Sequence, residues 1–174
     1  MLNYIAELED RNKKIIDELK LIVEDKNRKV LVLSERRIQL EIIKDMVVEN
    51  NICTVGFYVG GMKQKDLKES ENKQLMLATY NMASEAMDVP MLNTLFMVTS
   101  KSDIEQSVGR VLRQKKEDRL VEPLIVDFVD NYSIFLRQYQ KRKKFYLKNN
   151  YNLIDSNETL KKCDKLSQIE ECLI

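Results

Sequence analysis

Apolar residues recur with two different spacings along this chain. Five runs of five to seven residues are nearly continuous in apolar side chains, which is typical of strands buried on both faces. Between these runs, apolar residues recur every three or four positions among charged residues, which indicates amphipathic helices. The predicted strands are 29–33, 54–59, 74–79, 94–99 and 123–129. The predicted helices are 7–24, 36–49, 103–113 and 133–148, with a loop or short helix at 63–69.

This alternation of strands and helices predicts an α/β fold. A helix between two strands lets the second strand run parallel to the first in the same sheet. With helices on both faces, the predicted architecture is a three-layer parallel sheet. We assign residues 1–150 to one domain of this kind, and residues 151–174 to a tail with a short helical pattern over 156–172.

Polar residues and glycines stand at the ends of the predicted strands. In parallel α/β sheets, ligands bind beyond the carboxyl ends of the strands. Five residues at or just after these ends should therefore share one rim of the sheet: Ser34, Gly60, Thr79, Thr99 and Asp130.

The helix predicted at 103–113 has two chemically different faces. One face is apolar and suits a protein core: Ile104, Val108, Val111 and Leu112. The other carries residues at the spacing i, i+3, i+4 and i+7, which share a helix face: Gln106, Gly109, Arg110 and Arg113. Arginine binds phosphate through planar, bidentate hydrogen bonds, and glycine costs a helix roughly 1 kcal/mol relative to alanine. This face predicts either phosphate contact, with Gly109 keeping the approach open, or a solvated surface.

The segment GFYVGGMK resembles a phosphate loop but departs from it at decisive positions. Gly56 and Gly61 have the spacing of GxxxxGK[ST], but Met62 stands where the lysine must be, and Gln64 replaces the hydroxyl residue. No other stretch has this pattern, and no DExx box follows a strand. The chain therefore lacks the principal ATP-binding motifs of a motor protein.

Composition narrows the possible chemistry further. The formal net charge is +1, so a nucleic-acid surface has to be local. There is no histidine, and the three cysteines form no CxxC pair, so we expect no metal site and no histidine-dependent catalysis. No apolar stretch approaches the ~20 residues of a membrane span, and the first residues lack an apolar signal region. We expect no membrane association and a cytoplasmic location.

Several of these segments together resemble the C-terminal RecA-like domain of superfamily 2 helicases. ATYNMASEAMDVP and QSVGRVLR match motifs V and VI, in that order and with a short apolar strand between them. YVGGMK, KSDIEQSVGRVLR and the following DFVD strand make the pattern similar to helicases of large cytoplasmic DNA viruses and phages. The resemblance runs from about Lys29 to Phe145. It implies ATP with Mg²⁺ held mainly by an N-terminal RecA-like domain, which this sequence does not contain.

The resemblance assigns residues to the ATP side. It implies that Arg110 and Arg113 reach the γ-phosphate as arginine fingers, that Gln106 orients that end, and that Gly109 belongs to the same nucleotide-facing surface. Asp88 would lie near the ribose and these arginines; the alternative is a turn residue before Pro90. Ala86 replaces a glycine that the family usually has there, which could alter coupling between the two sites.

The resemblance also assigns residues to the nucleic-acid side. It implies backbone contacts by Thr79 and Lys63, with Gly60 and Gly61 allowing close approach of the strand. The alternative for the glycines is a plain turn between strand and loop. Ser34 matches the motif IV hydroxyl only weakly, and the alternative is the N-cap of the following helix.

The predicted helix at 133–148 is basic, with no acidic residue between Asn131 and Ile154. Aromatic residues are interleaved with six lysines and arginines. Two interpretations stay open: a nucleic-acid-binding helix with phosphate contacts and base stacking, or a docking helix whose aromatic residues cover the sheet.

These observations predict the C-terminal half of an ATP-dependent helicase or translocase that acts on single-stranded or duplex nucleic acid, with DNA favoured and viral replication sites as its setting. The isolated chain should not hydrolyse ATP. The alternative is a stand-alone nucleic-acid-binding module with the same fold. An unrelated α/β nucleotide-binding enzyme is disfavoured, since both the phosphate loop and GxGxxG are missing.

Overall fold

The computed structural model describes residues 1–85, 87–111 and 115–155. Its strands are β1 (Val30–Ser34), β2 (Val55–Tyr58), β3 (Leu75–Thr79), β4 (Thr94–Met97) and β5 (Leu124–Asp127). Its helices are α1 (Leu2–Glu7), α2 (Glu9–Val23), α3 (Arg37–Glu49), α4 (Gln64–Glu71), α5 (Tyr80–Glu85), α6 (Glu105–Val111) and α7 (Ser133–Lys148). A 3₁₀ turn spans Lys116–Asp118.

The five strands form one parallel sheet in the order β2-β3-β1-β4-β5. The first strand of the chain lies in the centre, where Val30 pairs with Leu75 of β3 and with Thr94 of β4. β2 and β5 are the two edge strands. The predicted α/β fold class is confirmed, with helices packed on both faces of the sheet.

Alternate residues of β1 enter two separate apolar layers. Val30 and Val32 pack with α2 and α3, whereas Leu31 and Leu33 pack with α5, α6 and α7. All four side chains are at most 1% exposed. Burying a valine or leucine contributes about 1.5–3 kcal/mol, which is why an uninterrupted apolar run marks this strand.

The elements differ from the sequence prediction mainly at their ends. The predicted helix at 7–24 starts earlier and is divided at Leu8, whose backbone is extended with φ −63° and ψ 114°. The polar segment 63–69 is helical, as α4. The short helix α5 was not predicted, because six residues are too few to show a helical period. The predicted tail helix at 156–172 lies outside the described residues.

Candidate functional site

The carboxyl ends of the strands bring the predicted polar residues to one rim. Ser34 and Thr79 are the last residues of β1 and β3 and are directly paired in register. The hydroxyl of Thr99, after β4, accepts a hydrogen bond from the Glu35 N–H at 2.8 Å. Asp130, after β5, accepts two hydrogen bonds from Arg11, at 2.6 and 2.9 Å. The rim is therefore continuous across the centre of the sheet.

Ser34 has an internal role in this rim. Its side chain is fully buried, and its hydroxyl donates to Oε1 of Gln39 at 2.9 Å while accepting the Arg36 N–H at 3.0 Å. These bonds fix the turn that leads from β1 into α3. Ser34 is not the N-cap of α3, which is Arg36. Phosphate contact through this hydroxyl would require the turn to open.

The turn after β2 exposes both of the predicted glycines. Gly61 has φ +84°, a backbone conformation that favours glycine, and a Cβ on Gly60 or Gly61 would meet no atom within 4 Å. Lys63 is exposed and is the N-cap residue of α4, where its carbonyl accepts hydrogen bonds from the N–H groups of Asp66 and Leu67. The turn thus presents open backbone next to a positive charge.

Gly56, by contrast, is explained by packing. It lies inside β2, and a Cβ at this position would come within 2.7 Å of the Ser70 hydroxyl and 2.9 Å of the Ser70 Cα. The glycine lets α4 lie close against β2. The similarity to a phosphate loop therefore has a structural cause at its first glycine.

The described side chains at the start of α6 differ in exposure. Ile104 and Val108 are buried at 3% and 2% exposure, whereas Gln106 and Gly109 are exposed. Nothing lies within 4 Å of a Cβ built on Gly109. Only the helical backbone is described for Arg110, and Arg113 lies outside the described residues. Packing among the described residues gives no reason for a glycine in this helix.

Asp88 lies between α5 and β4 and is exposed. Its neighbour Met87 is buried in the layer that also contains Val108 of α6. Ala86, the departure from the family pattern, lies outside the described residues.

A buried tyrosine connects the end of β3 to the segment before α6. Tyr80 directly follows Thr79, and its hydroxyl donates to the Thr99 carbonyl at 2.8 Å. The ammonium of Lys101 lies 4.7 Å from the centre of the Tyr80 ring. Burial raises the pKa of Tyr80, which keeps its hydroxyl protonated as a donor. Sequence analysis missed this contact, because no local pattern marks it.

Arg142 of α7 holds the same segment from the other side. Its guanidinium binds both oxygens of Asp127, at 2.8 and 2.9 Å, and also donates to the Ser100 hydroxyl and the Lys101 carbonyl. Burial, reinforced by the charge of Asp127, raises the pKa of Tyr146, whose hydroxyl donates to the same carboxylate at 3.1 Å. Arg142 is 1% exposed. Arg142 is therefore not available for the phosphate contacts that one of the two interpretations of this helix requires.

The described residues offer little metal or thiol chemistry. No group of three or more histidine, cysteine, aspartate or glutamate side chains among them could hold a metal ion. Burial raises the pKa of the Cys53 thiol to about 11, so the thiolate is scarce at neutral pH. None of the helices within the described ranges is long and apolar enough to span a membrane.

Comparison with other sequences identifies the domain. The profile of the helicase conserved C-terminal domain matches residues 10–115. A protein of Acanthamoeba polyphaga mimivirus, provisionally named as an ATP-dependent RNA helicase, is 36% identical over 132 residues, which are 74% of this chain and 25% of that protein. An uncharacterized protein of Invertebrate iridescent virus 3 is 32% identical over 85 residues, 48% of this chain and 78% of that protein. The chain thus spans a quarter of the first relative.

Solved structures share the fold at low sequence identity. T4 UvsW has a TM-score of 0.64 at 19% identity, over 88% of this chain and 35% of UvsW. The helicase MrfA, solved with DNA and AMPPNP, has a TM-score of 0.59 at 19% identity, over 80% of this chain and 20% of MrfA. The sheet described above is the RecA-like architecture of such domains. The chain belongs to the helicase conserved C-terminal domain family.

Proposed function

We propose that this chain is the C-terminal motor domain of an ATP-dependent helicase or translocase. In this proposal, ATP with Mg²⁺ is held mainly by an N-terminal RecA-like domain, because the present sequence has no phosphate loop and no DExx box after a strand. This chain supplies the second wall of the nucleotide cleft and part of the path of the nucleic acid.

The outward face of α6 is the observation that carries the ATP side of the proposal. Gln106 and Gly109 are exposed there, and the glycine is required by no contact among the described residues. In the sequence, Arg110 and Arg113 have the helical spacing that groups them with Gln106 and Gly109. Arg110 and Arg113 then act as fingers that stabilise the charge developing on the γ-phosphate when the domains close. Asp88 completes this surface near the ribose.

In this proposal, the nucleic acid binds at the part of the rim formed by the ends of β2 and β3. Gly60 and Gly61 let the sugar-phosphate backbone approach the main chain, and Lys63 contributes a positive charge. Thr79, a half-buried residue, contributes a hydroxyl. Ser34 is paired with Thr79 in register and positions the neighbouring turn. Contacts of this kind read the backbone rather than the base sequence.

The relatives support nucleic acid as the partner in two ways. The structure of MrfA contains DNA, and the mimivirus relative is named as an RNA helicase. We favour DNA, in the cytoplasm or at viral replication sites of a host cell, because the sequence pattern is similar to helicases of large DNA viruses. The second candidate is a stand-alone nucleic-acid-binding module. It is favoured by the iridescent virus relative, since this chain covers most of that protein.

The proposal is tested by two substitutions in the motor that joins this chain to its N-terminal domain. Arg113→Ala removes charge stabilisation made only in the transition state, so kcat for ATP should fall by about 10²-fold or more while nucleic-acid affinity stays near wild type. Lys63→Ala removes a phosphate contact, so nucleic-acid affinity should fall for all sequences and the salt slope should decrease by about one. Steady-state ATPase and fluorescence anisotropy measure the two effects.

Arg113→Lys is the matched control for the finger. It should recover little activity, because a point charge cannot replace the planar guanidinium. Circular dichroism should first show that each variant is folded. If Arg113→Ala lost nucleic-acid binding while ATP hydrolysis persisted, α6 would be a binding element and the stand-alone module would be the better account.

A further inference from the structure

The positive charge of this chain is concentrated in α7. The sequence has 29 basic and 28 acidic residues, and six of the basic residues lie in α7, which has no acidic residue. The rest of the chain therefore has 23 basic residues against 28 acidic ones. A nearly neutral protein thus contains one strongly basic helix in an otherwise acidic surrounding.

Helix α7 separates its side chains into two opposite stripes. Phe135, Arg142 and Tyr146 are buried at 4%, 1% and 3% exposure and face the sheet. Four cations lie on the solvent side at the spacing i, i+4, i+7 and i+11, which places them in one row: Arg137, Lys141, Lys144 and Lys148. The row is about 16 Å long, with roughly one charge in each helical turn. We call these four residues the basic row.

Acidic side chains do not neutralise the basic row within the described ranges. On other helices, lysines are paired with acids one turn away, as in Lys13–Glu9 at 2.7 Å and Lys73–Glu69 at 3.3 Å. Among the described residues, no ion pair involves the basic row, and Arg137 donates only to the Ser133 carbonyl of its own helix. An array of this kind attracts a polyanion, since its charges are close together and unscreened by partners.

A cavity lies between the rim of the sheet and the first two turns of α7. Its volume is about 480 Å³, and its lining includes Gln138 in the second turn of α7 and two cations from the rim, Arg36 and Lys101. Glu35 is the acidic member of the lining. Nε of Arg36 and Oε1 of Gln138 are buried and have no hydrogen-bond partner among the described residues. Two cations that follow β1 and β4 therefore line the same cavity as the first two turns of α7, where the basic row begins.

We propose that the basic row is a second nucleic-acid-binding surface, which holds the phosphate backbone of the strand beyond the rim. This inference rests on the proposed function for the choice of nucleic acid as the polyanion. Binding is electrostatic and independent of sequence, because the aromatic rings of α7 have contacts within the domain. Phe135 and Tyr146 are buried, the Phe145 ring contacts those of Tyr146 and Tyr151, and the Tyr139 ring faces the Arg142 guanidinium.

The test replaces the whole row in the full chain, as Arg137→Gln, Lys141→Gln, Lys144→Gln and Lys148→Gln. Fluorescence anisotropy with a labelled single-stranded DNA oligonucleotide is measured across a salt series. We expect affinity at low salt to fall by at least about tenfold and the slope of log affinity against log salt to decrease by about 3, since each phosphate contact on a single strand contributes about 0.7.

A charge-matched control lies on the opposite face of the sheet. In this control, glutamine replaces four lysines in and just after α2, which removes the same number of positive charges: Lys13, Lys14, Lys20 and Lys26. This variant should keep most of the wild-type affinity and slope. Equal losses in the two variants would show an effect of net charge alone and would overturn the proposal, as would wild-type binding by the α7 variant.

If circular dichroism shows the quadruple α7 variant to be misfolded, the pair Lys141→Gln and Lys144→Gln is measured instead, with half of the expected decrease in slope.

Two further arms separate this inference from its alternatives. Binding of the wild-type chain to anionic phosphatidylglycerol vesicles, without binding to DNA, would make a membrane surface the partner and would overturn the proposal. Lys63→Ala is measured alongside. A loss of DNA affinity with Lys63→Ala but not with the α7 variant would overturn the proposal for the basic row and leave the proposed contact at Lys63 in place. A loss of affinity with the α7 variant but not with Lys63→Ala would support the basic row and overturn the proposed contact at Lys63.

Discussion

At the scale of single residues, Arg142 connects more of this domain than its position in a basic helix suggests. Its guanidinium satisfies Asp127 of β5 and two groups of the segment that leads into α6. The carboxylate is itself only slightly exposed, with 12% of its side chain accessible. Removing one partner of such a pair leaves a charge with little access to water.

We predict that Arg142→Met lowers the free energy of unfolding by about 3–5 kcal/mol, because Asp127 then stays buried without its counter-charge. Urea denaturation followed by circular dichroism measures the change. Arg137→Met on the exposed side of the same helix is the control and should stay within about 0.5 kcal/mol of wild type. A similar small change for Arg142→Met would show that the ion pair does not stabilise the fold.

The placement of individual residues was predictable only where the local sequence determines it. The exposed Gly60–Gly61 turn and the outward face of α6 follow from spacing and turn chemistry. Arg142 has the same local sequence context as Lys141 and Lys143, and its partners lie 15 to 42 positions away. Nothing in the sequence around Tyr80 marks it either, because its role depends on the hydrogen bond to the Thr99 carbonyl. Tertiary packing decides such roles, so one sequence read locally cannot reveal them.

At the scale of elements, the contact between β2 and α4 depends on one missing side chain. Gly56 faces the Cα, Cβ and hydroxyl of Ser70, all within 2.9 Å of where a Cβ would stand. α4 begins directly after the turn that carries Lys63. The packing of this helix therefore also sets the position of the exposed turn.

Gly56→Ala should lower the free energy of unfolding by about 1–3 kcal/mol, since the new methyl group forces α4 away from the sheet. Adding Ser70→Ala should restore little, because the Ser70 Cα itself lies 2.9 Å from the new atom. Thermal and urea unfolding give both values. Gly60→Ala, where a Cβ meets nothing, is the control; a loss at position 60 as large as at 56 would contradict this account.

Most elements were predictable because burial on both faces leaves a continuous apolar run in the sequence. The five predicted strands and four predicted helices all exist, with ends shifted by a few residues. The division of the first helix at Leu8 and the short helix α5 were not predictable. Leu8 has no proline or glycine beside it to mark a break, and two turns are too short for a period to emerge.

At the scale of the whole molecule, the chain has the fold of the helicase conserved C-terminal domain family but not the phosphate loop GxxxxGK[ST]. We predict that the 174-residue chain alone releases no phosphate from ATP above the level of a mock purification. The physical reason is that, in the proposed function, this chain only stabilises a transition state that another domain must first position. A malachite-green assay at high protein concentration is the measurement. Turnover that disappears in Arg113→Ala would contradict the prediction.

The central position of β1 in the sheet also determines when its two edges can pair during synthesis of the chain. Val30 leaves the ribosome well before either of its partners, and pairs with Leu75 on one side and Thr94 on the other. At about 5–20 residues per second, its second edge stays open on the order of several seconds. An apolar strand with an open edge pairs readily with other chains. A pause in translation before Thr94 would prolong that exposure, whereas a pause after β4 has emerged would not.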